Sequence, residues 1–298
     1  MSRAIRLKEF PRSVEIINTP PEWYVEARDS SLIRQDYKIQ TDENGFIKSD
    51  PDNNLDAPRL VFLGDSAIEG MYVIPEARMC SKLQSILKKE YGVEVRVLNG
   101  GYSGATALHS FNTFINKVIP LRPAAVILMT GMIDASVALK QASFWSQDCW
   151  IEPMIDLRRV NTWRDNNERN SPSFDDQIKL LMIFSAASRI FETPLWLATV
   201  PHRQLYHGEY VAKAFKGHAE FAREVDQRRA VNDVTRRTAI KQQLPFFDLE
   251  LDLVERTDIF YDMFHLNSIG GEVVARSLIK LGFVGQIATV FSRPDCKP

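Results

Sequence analysis

The chain has 298 residues, of which 45% are hydrophobic and 25% are charged, and its formal net charge is -1. These values are typical of a globular protein with one large domain or two small ones, and the balanced charge does not favour binding to nucleic acid or to an anionic membrane. Three widely spaced cysteines, Cys80, Cys149 and Cys296, predict neither a disulfide framework nor a cysteine metal site. Because no membrane-span-length apolar run and no secretory signal is evident, we expect a cytoplasmic protein.

The chain is predicted to divide near residue 56. Residues 1–56 carry little regular pattern and are expected to form an N-terminal arm that packs on the main domain, residues 57–298. Within the arm, the Asn-Gly turn at Asn44 predicts a small hairpin, and Trp23 and Tyr24 are candidate anchors.

Strands and helices alternate through the main domain. Five apolar stretches are predicted to be strands: Leu60–Leu63, Val93–Leu98, Ala124–Met129, Leu195–Val200 and Phe246–Leu249. Amphipathic patterns predict helices that start near Pro75, Leu108 and Phe174, a charged helical region over 209–241, and a last helix after Asn267. This alternation predicts an α/β fold with a mostly parallel sheet covered by helices on both faces.

Residues 143–173 interrupt the alternation and are predicted to be an insertion after the third strand. They contain three tryptophans and four arginines: Trp145, Trp150, Trp163, Arg158, Arg159, Arg164 and Arg169. The insertion leaves the sheet at its carboxyl edge, where open α/β sheets bind ligands, so Trp145 and Trp150 are candidate substrate contacts. Packing of the tryptophans in a small satellite core is an equally weighted alternative.

Ser66 follows the first core strand directly, in the run Gly64-Asp65-Ser66. A serine nucleophile needs a base, a group that orients the base, and donors for the oxyanion. Asp262 and His265 lie three residues apart just before the last helix, and the order serine, acid, histidine requires only that the fold bring them together. Each residue alone is typical of a cap, a turn or a loop, whereas the combination predicts a catalytic triad.

Four sequence blocks resemble the SGNH/GDSL hydrolase family in order and spacing: Gly64-Asp65-Ser66, Asn99-Gly100-Gly101, Gly131-Met132-Ile133-Asp134 and Asp262-x-x-His265. The resemblance covers roughly residues 60–281. It implies a three-layer α/β/α flavodoxin-like fold whose five-stranded parallel sheet has the order 2-1-3-4-5. It also implies that Ser66 is the nucleophile, that the backbone N–H groups of Ser66 and Gly101 bind the oxyanion, and that Asp262 and His265 complete the triad. It implies neither a metal nor an organic cofactor.

The third block departs from the family pattern Gly-x-Asn-Asp, in which the asparagine amide is an oxyanion donor. Ile133 stands at that position and has no side-chain donor. Losing one such donor typically costs about 10²–10³ in rate. Thr130 and Asn99 are candidate replacements.

Other polar residues near the predicted sheet edge are further candidate binding groups. His202 and Arg203 follow the fourth strand directly, which makes them candidate substrate contacts. His202, His207 and His218 do not match a metal-ligand spacing, so no metal site is predicted. The run Gly100-Gly101-x-x-Gly104 is also compatible with a dinucleotide loop, but it lacks the GxGxxG pattern and follows the second strand.

The sequence therefore predicts a serine-dependent ester hydrolase that forms an acyl-enzyme on Ser66 and acts on a small-molecule or carbohydrate ester. One alternative is an acyltransferase that uses the same acyl-enzyme. Another is a non-catalytic carbohydrate-binding or scaffold protein on a degenerate hydrolase fold, which Ile133 favours. The sequence does not indicate an oligomeric state.

Overall fold

The structure is a computed structural model that describes residues 3–49, 54–156 and 167–292. Its strands are β1 (Arg3–Ile5), β2 (Glu15–Asn18), β3 (Tyr37–Gln40), β4 (Arg59–Gly64), β5 (Arg96–Gly101), β6 (Ala125–Met129), β7 (Met154–Asp156), β8 (Leu195–Ala198) and β9 (Phe246–Phe247). Its helices are α1 (Glu22–Glu26), α2 (Ser66–Glu69), α3 (Met79–Tyr91), α4 (Ala107–Thr113), α5 (Asp134–Leu139), α6 (Asp175–Ile190), α7 (Glu209–Ala214), α8 (His218–Gln242), α9 (Leu249–Asp252), α10 (Gly270–Lys280) and α11 (Phe283–Phe291).

The central sheet has five parallel strands in the order β5-β4-β6-β8-β9. Counted along the chain within this sheet, the order is 2-1-3-4-5, so the predicted fold class and strand order are confirmed. The last strand is shorter than predicted, because Leu249 already belongs to α9 and the side chain of Asp248 accepts a hydrogen bond from the N–H of Leu251.

Successive side chains along the strands point alternately into two hydrophobic cores, one on each face of the sheet. Leu60 and Phe62 of β4 point to the core beneath α3, α10 and α11, where Phe62 stacks near Phe283. Val61 and Leu63 point to the opposite core, beneath α4, α6 and α8. Because both faces are covered, the strands read as continuous apolar runs.

The helices that flank the sheet begin and end with recognisable signals. A turn at Pro75–Ala77 leads into α3, which ends at Gly92 in the left-handed conformation (φ 65°). The side chain of Asn267 accepts the N–H groups of Ile269 and Gly270, both at 3.2 Å, and so closes the turn that leads into α10. The charged region predicted over 209–241 is two helices, α7 and α8.

Residues 3–49, which the sequence predicts as an N-terminal arm, pair with the rest of the chain at two places. Strand β1 pairs with β7 of the insertion, and the N–H of Ile47 donates to the carbonyl of Asn99 on β5 at 2.9 Å. A turn forms at Gly45 (φ 76°), as the sequence pattern indicates, but β3 pairs mainly with β2. Trp23 is 67% exposed, so it does not anchor the arm.

Candidate active site

Ser66 lies at the carboxyl edge of the sheet, immediately after β4. The side chain of Asp65 accepts the N–H of Ala67 at 2.9 Å, which caps α2 and sets Ser66 as its first residue. A Cβ on Gly64 would lie 2.7 Å from the carbonyl oxygen of Met129, so the strand-to-helix turn needs a glycine for close approach. The result is a partly exposed serine hydroxyl on a tightly constrained turn.

Three side chains form a hydrogen-bonded chain at this edge. Ser66 Oγ lies 2.7 Å from His265 Nε2, and His265 Nδ1 lies 2.7 Å from Asp262 Oδ2. The structure therefore brings together all three residues that the sequence predicts as a triad, although Ser66 and His265 are 199 positions apart. In this arrangement an imidazole can take a proton from the hydroxyl while a carboxylate faces its other nitrogen.

The loop that carries Asp262 and His265 is held by its own backbone. Asp262 Oδ1 accepts the N–H groups of Phe264 at 3.0 Å and His265 at 2.9 Å. The ring of Tyr261 stacks parallel to the imidazole, with centroids 5.5 Å apart. These contacts fix both the carboxylate and the imidazole before any substrate binds.

Charges around the triad shift the pKa values of its two ionisable groups. Burial alone would raise the pKa of Asp262, but the charge and hydrogen bonds of His265 and the N–H of Phe264 outweigh it, and the pKa falls to about 2. Burial alone would lower the pKa of His265, but Asp262 and then Asp65 raise it above its ordinary value of 6.5. Asp262 is therefore an ionised carboxylate, and His265 beside it binds a proton more tightly than a free imidazole does.

His202 and Arg203 do not contact a substrate surface, which corrects their assignment as candidate substrate contacts. Their side chains are 0% and 2% exposed. Arg203 Nε donates to the carbonyl of Asp262 at 2.9 Å and Nη2 donates to that of Phe260 at 2.7 Å. Arg203 thus supports the loop that presents the triad. Burial lowers the pKa of His202 to about 3, so its imidazole is neutral.

The N–H of Gly101, a predicted oxyanion donor, already has an acceptor. It donates to Asn99 Oδ1 at 2.9 Å, and Asn99 Nδ2 donates to the carbonyl of Ile68 at 2.8 Å. Gly101 packs against the last residues of α2, since a Cβ there would lie 2.3 Å from the backbone nitrogen of Glu69. Any oxyanion would therefore share the Gly101 hydrogen with Asn99.

Neither candidate replacement for the missing asparagine is available as a donor in this structure. The amide of Asn99 is committed to the backbone of α2, and the hydroxyl of Thr130 is buried and lies 2.6 Å from that of Thr235. Ile133 is partly buried, and its backbone N–H donates to Asp65 Oδ2 at 3.4 Å. The third block thus contributes an apolar side chain where the family pattern has an amide.

Trp145 and Trp150 lie on the surface of the insertion, each 56% exposed. Trp145 lines a cavity of about 260 Å³ with Arg3 and Met154 among its neighbours. The carbonyl of Trp150 accepts a hydrogen bond from Lys8 Nζ at 2.7 Å, and the same ammonium reaches the carbonyl of Gly104. Lys8 thereby links the insertion to the loop that follows β5. Four residues of the insertion that the sequence singles out lie outside the described residues, namely Arg158, Arg159, Trp163 and Arg164, as does Cys296.

Arg28 of the arm is a site residue that the sequence pattern does not reveal. Its Nε lies 3.4 Å from Asp262 Oδ2, although the two residues are separated by most of the chain. The sequence around Arg28 has little regular pattern, so it does not predict where the side chain of this arginine lies in the fold. The contact follows only from the way in which the arm folds over the carboxyl edge.

Neither a metal cluster nor a single membrane-spanning helix occurs within residues 3–49, 54–156 and 167–292. In this part of the chain, no three His, Cys, Asp or Glu side chains group together as a metal site requires. Nor does any one helix there have both the length and the apolar character to cross a membrane, although the bent pair α10 and α11 together meets those two criteria.

The chain resembles known proteins at the level of family and fold. A family model described as the GDSL-like lipase/acylhydrolase family matches residues 62–273, which is more than half of the chain. A search of curated proteins finds no significant match.

Several solved structures share the fold. The acetyl xylan esterase AlAXEase is 15% identical with a TM-score of 0.51, and the match covers 75% of this chain and 99% of that chain. A point mutant of Axe2, an acetyl xylan esterase from Geobacillus stearothermophilus, is 17% identical with a TM-score of 0.52, and the match covers 76% and 95%. LAE5, an alpha/beta hydrolase enzyme from the metagenome of Lake Arreo, Spain, is 17% identical with a TM-score of 0.50, and the match covers 75% and 94%. Given the family match over most of the main domain, the chain belongs to the GDSL-like lipase/acylhydrolase family.

Proposed function

We propose that this protein is a serine-dependent ester hydrolase that works through an acyl-enzyme on Ser66. The observation that carries the proposal is the continuous hydrogen-bonded chain from Ser66 through His265 to Asp262 at the edge where α/β folds bind ligands. Membership of an esterase family supports the same conclusion.

The reaction would proceed in two halves. Nε2 of His265 takes the proton of Ser66 as Oγ attacks the ester carbonyl carbon, and Asp262 stabilises the imidazolium that forms. The tetrahedral intermediate collapses as His265 gives its proton to the leaving alcohol, which leaves the acyl group on Ser66. Water, deprotonated by His265, then attacks the acyl carbon, and Ser66 recovers its proton as the carboxylic acid departs.

The oxyanion would be stabilised by two backbone donors, the N–H groups of Ser66 and Gly101. The Gly101 donor is shared with Asn99, and Ile133 supplies no side-chain donor. Because each donor contributes a factor of about 10²–10³, we propose a hydrolase that is slow relative to one with a three-donor site.

The proposed substrate is a small acyl ester on a carbohydrate. Two structural relatives are acetyl xylan esterases, which supports an acetyl group on a sugar. The cavity of about 260 Å³ beside Trp145 is lined by none of the triad residues, so it does not by itself support this substrate class.

One specific observation favours a second candidate, a binding protein that retains the fold without efficient hydrolysis. Ile133 removes the donor that the family pattern provides, whereas the rest of the site is intact. An acyltransferase would use the same acyl-enzyme and would differ only in passing the acyl group to an alcohol.

Acetate release from p-nitrophenyl acetate and from acetylated xylo-oligosaccharides tests the proposal. We expect wild type and Ser136→Ala, which removes an exposed serine on α5, to release acetate, and Ser66→Ala to release none above background. Added sugar acceptors distinguish the transferase, because they would divert acetyl groups from water. Equal background rates for wild type and Ser66→Ala would favour the binding protein.

A further inference from the structure

The N-terminal arm places a guanidinium against the carboxylate of the triad. Arg28 Nε lies 3.4 Å from Asp262 Oδ2, the same oxygen that lies 2.7 Å from His265 Nδ1. The Arg28 side chain is 22% exposed and that of Asp262 is 6% exposed. Two positively charged groups of different origin, one from the arm and one from the triad loop, therefore share one carboxylate oxygen when the imidazole is protonated.

Arg28 is held in this position from several sides. Its guanidinium carbon lies 4.1 Å from the ring centroid of Tyr24 and 5.8 Å from that of Tyr210. Lys213 Nζ donates to the carbonyl oxygen of Arg28 at 2.8 Å, which fixes the backbone of the arm against α7. Stacking on an aromatic ring and contact with a buried carboxylate are both uses for which arginine is better suited than lysine.

We propose that Arg28 is a positioning residue of the active site, which holds Asp262 in place and sets the basicity of His265 through the shared oxygen. This inference rests on the proposed function, in which His265 is the general base. It assigns a part in catalysis to the N-terminal arm. The four sequence blocks that resemble the family all lie outside this arm.

The charges around His265 explain why such a residue would be useful. Three carboxyl groups interact with the imidazole through their charges: Asp262 on its own loop, Asp65 before α2 and Glu69 within α2. Each stabilises the protonated ring, and a base that stays protonated at neutral pH cannot accept the proton of Ser66. Arg28 opposes them, because its charge lowers the pKa of His265 toward the working range.

Neutral substitutions at Arg28 test this role in the full-length protein. The chain has five histidines, and a His265→Gln spectrum assigns the imidazole signal of His265 in an NMR titration. We expect Arg28→Gln and Arg28→Leu to raise the pKa of His265 by about 0.5 to 1 pH unit, and Arg28→Lys to leave it within about 0.2 unit. Arg34→Gln, an exposed arginine of the same arm, is the matched control and should cause no shift.

The same variants should move the acid limb of the kcat/KM profile by a matching amount. For Arg28→Gln, the plateau value at high pH should fall about threefold to tenfold through kcat, with KM nearly unchanged, because the residue does not touch substrate. A folded Arg28→Gln or Arg28→Leu variant with an unshifted His265 pKa would overturn the inference. Failure of both neutral variants to fold would also overturn it, in favour of a purely structural role.

The titration separates this inference from the proposed function. It needs no turnover, so a shifted His265 pKa in a protein that hydrolyses no ester would sustain the electrostatic role of Arg28 while contradicting the enzyme. Conversely, wild-type hydrolysis with an unshifted pKa in the neutral variants would leave the enzyme intact and remove Arg28 from its mechanism.

Discussion

Asp262 holds His265 at two points. Its Oδ2 lies 2.7 Å from the imidazole Nδ1, and its Oδ1 accepts the backbone N–H of the same histidine at 2.9 Å. One carboxylate thereby fixes the loop and the ring together, and the acceptor at Nδ1 keeps the hydrogen there. This leaves Nε2 free to accept the proton of Ser66, which lies 2.7 Å away.

Substitution of Asp262 tests that relationship. Asp262→Asn should lower kcat by about 10³–10⁴, because an amide can turn its N–H₂ group toward Nδ1 and so favour the wrong imidazole tautomer. Steady-state ester hydrolysis gives the rate, and circular dichroism confirms the fold. Asp258→Asn, at a carboxylate that is 54% exposed in the preceding loop, is the control and should keep most of the activity. A loss smaller than tenfold in Asp262→Asn would contradict the account.

The pH dependence of activity follows from the raised pKa of His265. The general base must be neutral, so kcat/KM should fall as the pH drops through the pKa of His265, with a midpoint above the ordinary value of 6.5. The measurement is a pH–rate profile with a neutral ester. A midpoint well below 6.5 would mean that burial, rather than Asp262 and Asp65, dominates the environment of the imidazole.

Protonation of His265 should also affect stability, but in the opposite direction: activity rises with pH, whereas the stabilisation that comes from this group falls. The folded protein binds the imidazole proton more tightly than the unfolded chain does, so this stabilisation is complete below about pH 6.5 and is lost as the pH rises through the folded pKa. Denaturant unfolding of wild type and His265→Gln between about pH 6 and pH 9 checks this, and the difference in unfolding free energy should shrink with rising pH. The depressed pKa of Asp262 acts in acid, where its stabilisation is lost as the pH falls toward about 2.

Restoring the family asparagine at position 133 should make a faster enzyme. Ile133 directly precedes α5 and is only partly buried, so an amide fits the local structure. Ile133→Asn should raise kcat by up to about 10²–10³, the usual contribution of one oxyanion donor. Ile133→Leu, which changes shape without adding a donor, should give no such gain. An unchanged rate in Ile133→Asn would indicate that another group already occupies the position of the amide.

Two glycine substitutions distinguish a glycine that is required for close packing from one that only adds backbone flexibility. Gly101→Ala should lower both the melting temperature and the activity, since its Cβ would lie 2.3 Å from the backbone of α2, which carries Ser66. Gly285→Ala is the matched control in α11, with nothing within 4 Å of the added Cβ, and should stabilise by about 0.5–1 kcal/mol. Thermal unfolding of both variants is the measurement, and equal stability changes would contradict the packing argument.

Sequence patterns predict the sheet and the triad because both depend on local signals. Continuous apolar runs mark the buried strands, and turn residues mark their ends, so the edge that carries Ser66 follows from these signals. The strand order follows only from the family resemblance. The triad is recognisable because the Asp262–His265 spacing is short and a turn at Asn267 leads into the next helix directly afterwards.

The contacts that the sequence does not predict are long-range and involve polar groups inside the protein. Arg203 follows a strand and looks like a surface contact, yet the carbonyls of Phe260 and Asp262 satisfy its donors and allow its burial. Arg28 reaches Asp262 only because the arm folds back over the sheet edge. No periodic sequence pattern predicts the burial of these two arginines or the groups that they contact. Their roles can therefore be identified only from the structure.

Covalent labelling of Ser66 tests the central claim most directly. A fluorophosphonate reacts with an activated serine hydroxyl and requires no knowledge of the natural ester. We expect mass spectrometry of the intact wild-type protein to show a single adduct, with peptide mapping that places it on Ser66. Ser66→Ala should remain unlabelled, and His265→Gln should label far more slowly. Equal labelling of wild type and Ser66→Ala, or no labelling of wild type, would contradict a nucleophilic serine at this site.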